Sequence, residues 1–574
     1  MVLGLLFFCF VHLTLLVTGY VIVNRLKLFR KNQAGLQLIF AYIVSLVFFA
    51  LLGLVHYSFN VGFRPLVLLG WLVILGTSYL FITNRLYKLV WLQRFPIICF
   101  VLTSLMYCLF IGLKFGAPYS YIPDPNPLPN RNYHAANIKV LNIAKTSAND
   151  NYIPYRQAQF IINRSDPAKD CFVCEWGVSF FQRTPLMGSV TAGYYLVLKE
   201  RPPIDYLWST KTNDHEHTYA QFQIIAAILN GLFIIPAFFL IQLLFDKKTA
   251  ILSLLLLISS QFFLYNAVFS WPKSLVAFFV LTMWLLILQN HLRETILAGV
   301  AAGLAYLTHD LAVLYIAASL LLLLYHRRFR DIFIVGGVMS LFAFPWLVIS
   351  SVIYKKPSTF ILYPLSLHGL PQPGHGHQEV REFLHTLRYS PFDIISIRLD
   401  TLFFLMSPYN LIYSSGGQTI LRRIWSFGIL SIPGSLGVGL VIPTIMGIIQ
   451  KFKQIDLWIL IFVPILMADL IVGWRGSRAI ASMHFAQASI VLLTAVSVSF
   501  LVKLKNKLWF WLVMAATIAQ FVYFILFSYN FRESAWLHDL PSLGSLILMA
   551  SIIIFSIYAA YQLMRNKAPK WLGV

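Results

Sequence analysis

The sequence predicts an all-α, polytopic integral membrane protein with about fifteen membrane-spanning helices. Of its 574 residues, 59% are hydrophobic and only 11% are charged, whereas a soluble domain carries about 25% charged residues. The apolar residues stand in runs, and a helix needs roughly 20 of them to cross the hydrocarbon layer. The basic residues behind the net charge of +23 stand in short clusters between these runs. Membrane topology produces that pattern, so the charge does not indicate a nucleic-acid partner.

The predicted spans are the apolar runs in which charged residues are rare. They lie near residues 3–23, 36–54, 66–83, 96–113, 220–244, 250–268, 274–289, 295–308, 311–325, 332–352, 424–449, 457–473, 485–502, 508–528 and 543–562. The first run lacks a basic start and a small-residue cleavage site, so we interpret it as a retained helix and not as a signal peptide.

Alternate connections between the spans differ in their content of lysine and arginine. The short connections on one side contain few basic residues, namely Arg64, Lys273, Arg475, Arg478 and Arg532. Most of the other basic residues fall in the connections on the opposite side. Because the side rich in lysine and arginine is cytoplasmic, the N-terminus is predicted to be extracytoplasmic and the C-terminus cytoplasmic.

The apolar run Pro185–Leu198 is long enough to suggest a further span. A crossing there would place every later basic cluster on the wrong side, so we expect a re-entrant or interfacial helix at the outer surface. The run lies in the first of two long outer loops, residues 115–219 and 353–423, and loops of this length are uncommon without a function. Most of the 21 acidic residues also fall on the outer side. That side has no nucleotide-sugar pool, so a transferase there would need an activated group carried across on a lipid.

Asp124 opens the first loop, within Tyr121-Ile-Pro-Asp-Pro-Asn-Pro. The flanking prolines keep the backbone extended, and apolar residues at helical spacing from Tyr133 to Ile143 favour a helix lying on the surface. His134 lies in that stretch and is a candidate substrate-binding residue. A carboxylate held just above the lipid can act as a general base toward an acceptor hydroxyl. The alternative is an ordinary aspartate in a proline-rich turn.

The tetrad Asp214-His215-Glu216-His217 directly precedes a predicted span. This density of ligating side chains can bind a divalent cation or an acceptor. The tetrad can also be a solvated helix cap, since Asn213 and Asp214 are good N-cap residues. The sequence leaves the metal site, the acceptor site and the helix cap open.

Lys273, Arg475 and Arg478 are outer cations that can together hold a phosphate. Each alone is also a residue type that snorkels at the membrane interface. His309 and Asp310 stand at an outer turn between two predicted spans. Ionisable residues at that depth are costly and often functional; the alternative is a simple polar turn.

Two further groups of ligating residues carry weaker signals. The four histidines between His368 and His385 match no standard zinc spacing, so a flexible polar loop is the simpler interpretation. Cys171 and Cys174 form a CxxC that can close a disulfide outside the cell. A single CxxC without a second pair is weak evidence for a metal.

This layout resembles the multi-spanning glycosyltransferases with the GT-C fold, especially the branch of the protein mannosyltransferases and aminoarabinose transferases. Asp124 stands where that family carries its catalytic aspartate. Arg183-Thr-Pro-Leu186 is similar to the family's juxtamembrane Pro-Leu segment. The stretch from Glu216 to Phe245 resembles its second core helix, and Gly299–Leu311 resembles its Gly-xxx-Gly-Leu-Ala segment.

The resemblance implies a division of the chain. Residues 1–95 would be three extra N-terminal helices, and residues 96–352 a GT-C-like core with juxtamembrane helices in its outer loop. The second outer loop, 353–423, and the C-terminal spans of 424–574 would follow.

The resemblance also implies an activity, the transfer of a sugar from a polyprenyl-phosphate carrier to a lipid, glycan or protein acceptor on the outer face. Asp124 would be the base, and Glu216 with Asp214 would position the acceptor or a divalent cation. The candidate substrate-binding residues are Lys273, His309, Asp310, Arg475, Arg478, Arg183 and His134. The lipid tail would lie in a groove between helices.

Two alternatives belong to other classes of protein. A polysaccharide polymerase or ligase of the cell envelope would rely on the second outer loop. A transporter would need ionisable residues near the bilayer midplane and broken helices. The predicted spans hold almost no such residues apart from Asp469 near an outer end, which disfavours the transporter.

Overall fold

The computed structural model describes most of the predicted helical part of the chain. The described residues are 2–29, 33–59, 61–112, 120–122, 138–140, 153–166, 180, 183–202, 214–268, 271–354, 399, 435–472, 486–527 and 543–565. Their helices, numbered in chain order, are α1 (Val2–Arg25), α2 (Ala34–Ser58), α3 (Phe63–Thr83), α4 (Tyr87–Trp91), α5 (Arg94–Gly112), α6 (Ile153–Asn163), α7 (Leu186–Leu198), α8 (Asp214–Gly231), α9 (Ile234–Leu244), α10 (Lys247–Ile258), α11 (Gln261–Val268), α12 (Lys273–Gln289), α13 (Leu292–Thr308), α14 (Ala312–Tyr325), α15 (Phe329–Leu347, continued by a π-helical turn, Val348–Ile353), α16 (Val438–Lys451), α17 (Ile455–Val472), α18 (Gln487–Lys503), α19 (Leu508–Phe527) and α20 (Leu543–Met564).

Every predicted span overlaps a helix, or two consecutive helices, of the described part. Within that part, six helical segments are long and apolar enough to cross a membrane, and α10 with α11 add a seventh if they form one span bent by 58°. Several other helices, including α12 and α18, are apolar but shorter. The prediction of an all-helical, multi-pass membrane protein is confirmed, and the number of crossings stays a prediction.

The helices differ in how deeply they lie in the bundle. In the segment from His217 to Leu244, which joins α8 and α9, 89% of the residues of the most apolar 18-residue stretch are buried, so this segment forms the centre. The same share is 28% for α3 and 11% for α15 with its π-helical turn. Large apolar side chains are exposed on these outer helices, among them Leu72 and Phe333. An apolar periphery around a helical bundle is what contact with lipid requires.

Local chemistry sets where several helices begin and end. At the start of α10, the Asp246 carboxylate accepts hydrogen bonds from the backbone N and the Oγ1 of Thr249, at 2.8 and 2.7 Å. The bond from the backbone N gives an acceptor to an amide that the first helical turn leaves without an intrahelical one. At the end of α12, Asn290 adopts the left-handed conformation that stops a helix.

Helix α7 is enclosed by the N-terminal helices. A Cβ on Gly193 would lie 2.0 Å from the carbonyl oxygen of Phe49 in α2, so this approach requires glycine. The indole Nε1 of Trp71 in α3 donates to the carbonyl oxygen of Val197 at 3.0 Å. Phe49 and Trp71 stand about two turns or more from the nearer ends of α2 and α3, so α7 enters the bundle. The burial of α7 therefore favours the re-entrant alternative over a helix lying on the surface.

Two short strands interrupt the otherwise helical chain. Strands β1 (Ser120–Ile122) and β2 (Ile138–Val140) pair antiparallel, with Ser120 opposite Val140. The helix predicted over Tyr133–Ile143 is therefore wrong at Ile138–Val140. A short apolar run fits either period, and β-branched residues such as these favour a strand. The amphipathic helix of this loop is instead α6, which is buried against α2 and α7.

The helix termini gather at two opposite ends of the bundle. At the end that we name the site end, the starts of α12 and α18 meet the turn between α13 and α14, at Lys273, Gln487 and His309. At the other, which we name the basic end, the start of α10 meets the ends of α16 and α18 and the turn before α19, with Lys248, Lys451, Lys503 and Lys507. Helix α18 runs from one end to the other, as the alternation of basic connections predicts. Which end is cytoplasmic stays a prediction.

Candidate functional site

A small pocket opens at the site end. It is lined by Lys273, Val276, His309, Leu311, Ala312, Tyr315 and Gln487. Helix α12 begins at Lys273, and the start of a helix carries partial positive charge. The lysine side chain is itself buried, with 4% of the residue exposed. The helix start and the buried ammonium both favour an anion in this pocket.

Trp271 brings together residues that are far apart in the chain. The Nζ of Lys273 lies 4.3 Å from the centroid of the indole ring, and the Cζ of Arg183 lies 5.9 Å from it. The ring of His309 is 5.5 Å away, centroid to centroid. Because an aromatic face attracts cations, the indole can hold two positive charges close together without neutralising them.

His309 and Asp310 follow the end of α13, as the sequence predicts. The His309 Nδ1 lies 2.9 Å from the Asp310 Oδ1, and both residues are buried. Burial lowers the pKa of the His309 imidazole below its usual value. The charges of Lys273 and Arg183 lower this pKa further, while Asp310 opposes the shift. The imidazole is therefore neutral near pH 7, and Asp310 supplies the negative charge beside the two cations.

Arg183 is positioned by α6. The side-chain amide of Gln157 donates to the carbonyl oxygens of both Arg183 and Thr184, at 3.2 Å each. Gly188 makes room for this amide, since a Cβ there would lie 2.5 Å from the Cβ of Gln157. The buried glutamine thus fixes the backbone of the Arg-Thr-Pro-Leu segment where its arginine reaches Trp271.

Buried amide side chains surround the start of α12. The Nε2 of Gln487 donates to the Oδ1 of Asn266 at 3.2 Å, and the Oδ1 of Asn230 accepts from the backbone N of Leu275 at 3.2 Å. Sequence reasoning missed these residues, because each is a single amide within an apolar run. It also missed Gln157 and the role of Trp271, for which the tripeptide Trp-Pro-Lys at a helix start was the available signal.

The tetrad begins α8, which starts at Asp214. Its described side chain, His217, is exposed, and its Nε2 lies 3.3 Å from the Oε1 of Glu200 and 2.9 Å from the Nε2 of Gln221. The side chains of Asp214, His215 and Glu216 lie outside the described part, so their catalytic or metal-binding role stays a prediction. Among the residues that the structure describes, no three His, Cys, Asp or Glu side chains gather as a metal site would need.

Several predicted residues lie outside the described ranges. They are Asp124, His134, Arg475, Arg478, Cys171, Cys174 and the histidines from His368 to His385. The predicted grouping of Lys273 with Arg475 and Arg478 therefore stays a prediction, whereas its grouping with Arg183 is observed.

The described site has the parts of an anion-binding centre. Arg183 can offer a planar pair of donors, and Lys273 a compact point charge. The pocket also holds the neutral His309 and the amide of Gln487. Such an arrangement can bind a phosphate and neutralise charge that develops on it during a reaction.

Comparisons with known proteins agree with the predicted resemblance. Residues 210–349 match the family model described as dolichyl-phosphate-mannose-protein mannosyltransferase, a region that includes Trp271, Lys273, His309 and Asp310. A search of curated proteins finds no match. Among solved structures, the chain is similar to the crystal structure of ArnT from Cupriavidus metallidurans bound to undecaprenyl phosphate, with 12% identity and a TM-score of 0.46 over 83% of this chain and 74% of that chain. The family match over residues 210–349 supports the predicted resemblance to this family of membrane glycosyltransferases.

Proposed function

We propose that the chain transfers a sugar from a polyprenyl-phosphate-linked donor to an acceptor, and that the reaction takes place at the site end, on the extracytoplasmic side. The observation that carries the proposal is the placement of Lys273 and Arg183 around Trp271. Lys273 and Trp271 lie in the region that matches a family named for a polyprenyl-phosphate sugar donor, dolichyl-phosphate mannose.

The donor phosphate would sit between the two cations. In the reaction, the bond between the anomeric carbon and the phosphate oxygen breaks, and that carbon bonds to an oxygen of the acceptor. The electron pair of the broken bond remains on the departing polyprenyl phosphate, whose negative charge therefore increases. Lys273 and Arg183 stabilise this charge most when it is fully formed, which lowers the barrier of the step.

The acceptor proton needs a base, and Asp124 is the residue that we propose for this role. Glu216 and Asp214 would position the acceptor or a divalent cation. The start of α8, which carries both, contacts α7, because Tyr195 of α7 donates to the carbonyl oxygen of Thr218 at 2.6 Å. Helix α7 follows directly after Arg183, so it links the two parts of the proposed site.

The donor proposal is tested by binding. Full-length protein in lipid nanodiscs is titrated with a short-chain polyprenyl phosphate, and the Kd is compared among wild type, Lys273→Met, Arg183→Met and the control Lys451→Met at the basic end. We expect each of the first two changes to weaken binding by about 10-fold or more, since a charge-assisted bond contributes about 1.5–3 kcal/mol. Equal Kd values for wild type and the two site variants would overturn the donor proposal.

The activity and its side are tested separately. Labelled polyprenyl-phosphate sugars are supplied to membranes with Asp124→Ala, or with His375→Ala and His377→Ala together. Loss of transfer in the first variant supports the proposal, whereas loss only in the second indicates a polymerase or ligase that uses the second loop.

A cysteine placed at position 124 should react with a membrane-impermeant reagent added outside the cell. Labelling only from the inside would contradict the extracytoplasmic assignment.

A further inference from the structure

The basic end gathers two pairs of lysines around one carboxylate. Lys248 lies close to Lys507, Lys451 lies close to Lys503, and Asp246 faces one member of each pair. The pairs come from different helices, since Lys248 starts α10, Lys451 ends α16, Lys503 ends α18 and Lys507 directly precedes α19. The fold thus creates this cluster, which no single stretch of sequence contains.

Like charges lie near each other in this cluster. Asp246 already accepts two hydrogen bonds from Thr249 as the cap of α10. Burial lowers the pKa of Lys248, and the neighbouring charge of Lys507 lowers it further. The pKa of Lys451 is lowered by burial and then by Lys503. Within the described residues, like charges therefore repel each other here, and an added anion would relieve that repulsion.

Two of the four lysines, Lys451 and Lys507, are held in place by contacts with neighbouring groups. The Nζ of Lys507 donates to the carbonyl oxygens of Val502 and Leu504 at 2.8 and 2.7 Å. The Nζ of Lys451 lies 5.0 Å from the centroid of the Phe245 ring. These lysine side chains therefore lose less conformational entropy when a ligand binds them than lysines on an ordinary exposed surface do.

Large apolar side chains close in sequence to these lysines are exposed. They are Leu243, Ile449, Phe452, Leu508 and Trp509, whose residues are between 51% and 74% exposed. A soluble polyanion would gain nothing from such neighbours. A lipid would place its acyl chains on them while its headgroup meets the lysines, and tryptophan at this level is typical of a membrane interface.

From this combination we propose that the basic end is a binding site for an anionic phospholipid whose headgroup carries two phosphates, as in a diphosphatidylglycerol. One phosphate binds between Lys248 and Lys507, and the other between Lys451 and Lys503. The apolar side chains named above contact the acyl chains. This site is distinct from the proposed donor site, because the two lie at opposite ends of the bundle.

Native mass spectrometry of the full-length protein in mild detergent tests the proposal. The probes are diphosphatidylglycerol with two phosphates, phosphatidylglycerol with one, and zwitterionic phosphatidylcholine. We expect the wild type to bind the first about 10-fold more tightly than the second, and Lys248→Gln with Lys451→Gln to weaken this binding by about 10- to 30-fold. The control is Lys27→Gln with Lys88→Gln, two exposed lysines of which the first follows α1 and the second lies in α4; it should leave the affinity unchanged.

Three outcomes would overturn the proposal. They are equal affinity for the one-phosphate and two-phosphate lipids, equal loss in the site and control variants, and no loss in the site variant. A binding titration with polyprenyl phosphate on the same variants keeps the two proposals separate, because the basic-end changes should leave donor binding intact. Circular dichroism during heating verifies that each variant is folded.

Discussion

The two ends of the bundle use the same kind of side chain in different surroundings. At the site end, Lys273 is buried beside Trp271, next to the neutral His309. At the basic end, the lysines are half-buried or exposed and are surrounded by apolar side chains open to the outside. A charge in a low-dielectric pocket interacts strongly with a single anion, whereas exposed charges act through their sum and are screened by salt. On the two proposals made above, burial, rather than the number of lysines, distinguishes a site for one reacting group from a site for a membrane lipid.

The largest expected effect separates the two ends by activity. Lys273→Met should lower kcat by about 100-fold, as loss of one preorganised donor to a developing charge does in other enzymes. Lys451→Met, which removes the same charge from the basic end, should change kcat by less than about 3-fold. Both are measured with saturating donor. Similar losses in both variants would mean that the difference in burial has no functional meaning.

A smaller effect tests how the site end is assembled. Gln157→Leu removes the amide that fixes the Arg183 and Thr184 carbonyls and should raise the KM for the donor by about 10-fold, while kcat changes less. Gln159→Leu on the same helix removes a hydrogen bond to Arg156 instead and controls for a general loss of helix stability. If both changes raise KM equally, Gln157 supports α6 as a whole and does not position Arg183.

The pH dependence of stability examines the neutral histidine. In the folded protein, burial lowers the pKa of His309 below the value of 6.5 that applies without burial. As pH falls below about 6.5, the unfolded chain therefore takes up a proton that the folded protein resists. Stability should fall by at most about 1.4 kcal/mol per pH unit. Melting temperatures at pH 7.5 and 5.5 should show this decrease in the wild type and a smaller one in His309→Asn; an identical decrease would contradict a buried neutral imidazole.

The smallest effect concerns salt. Raising the salt concentration from about 0.1 to 0.5 M shortens the screening length to a few ångströms. Binding of diphosphatidylglycerol to the basic end should weaken by about 3-fold, and binding of polyprenyl phosphate to the site end by less than about 2-fold. The reverse order would show that the site-end pocket is open to solvent during binding.

The sequence predicts the helices well, because lipid requires long apolar runs and the chain supplies them at nearly every described helix. It also locates Lys273, His309 and Asp310 at helix ends on one side, and Arg183 just before an apolar helix. What it does not predict is which of these residues meet. The Arg183 and Lys273 side chains meet through Trp271, and their approach depends on Gln157 and Gly188, which are distant in sequence and carry no pattern of their own.

The placement of α7 shows the same limit. Thirteen apolar residues can lie on a membrane surface, enter it or sit inside a protein, and hydropathy does not distinguish these cases. The deciding fact is the close backbone approach between Gly193 and Phe49, which involves two separate helices. The strand at Ile138–Val140 was mispredicted for a related reason, since pairing with a distant strand outweighed a weak local period.

The enclosure of α7 bears on how the protein is made. Synthesis delivers α1, α2 and α3 to the membrane before α7 exists, so a slot between them must wait for a later segment of the chain. The Oγ1 of Thr14 in α1 and the Oη of Tyr194 in α7 lie 3.0 Å apart, a bond that forms only when this segment arrives. The first helices therefore form the surface against which the loop that carries Arg183 packs. In a shortened chain that lacks them, α7 would lose this packing and Arg183 would not be held in position.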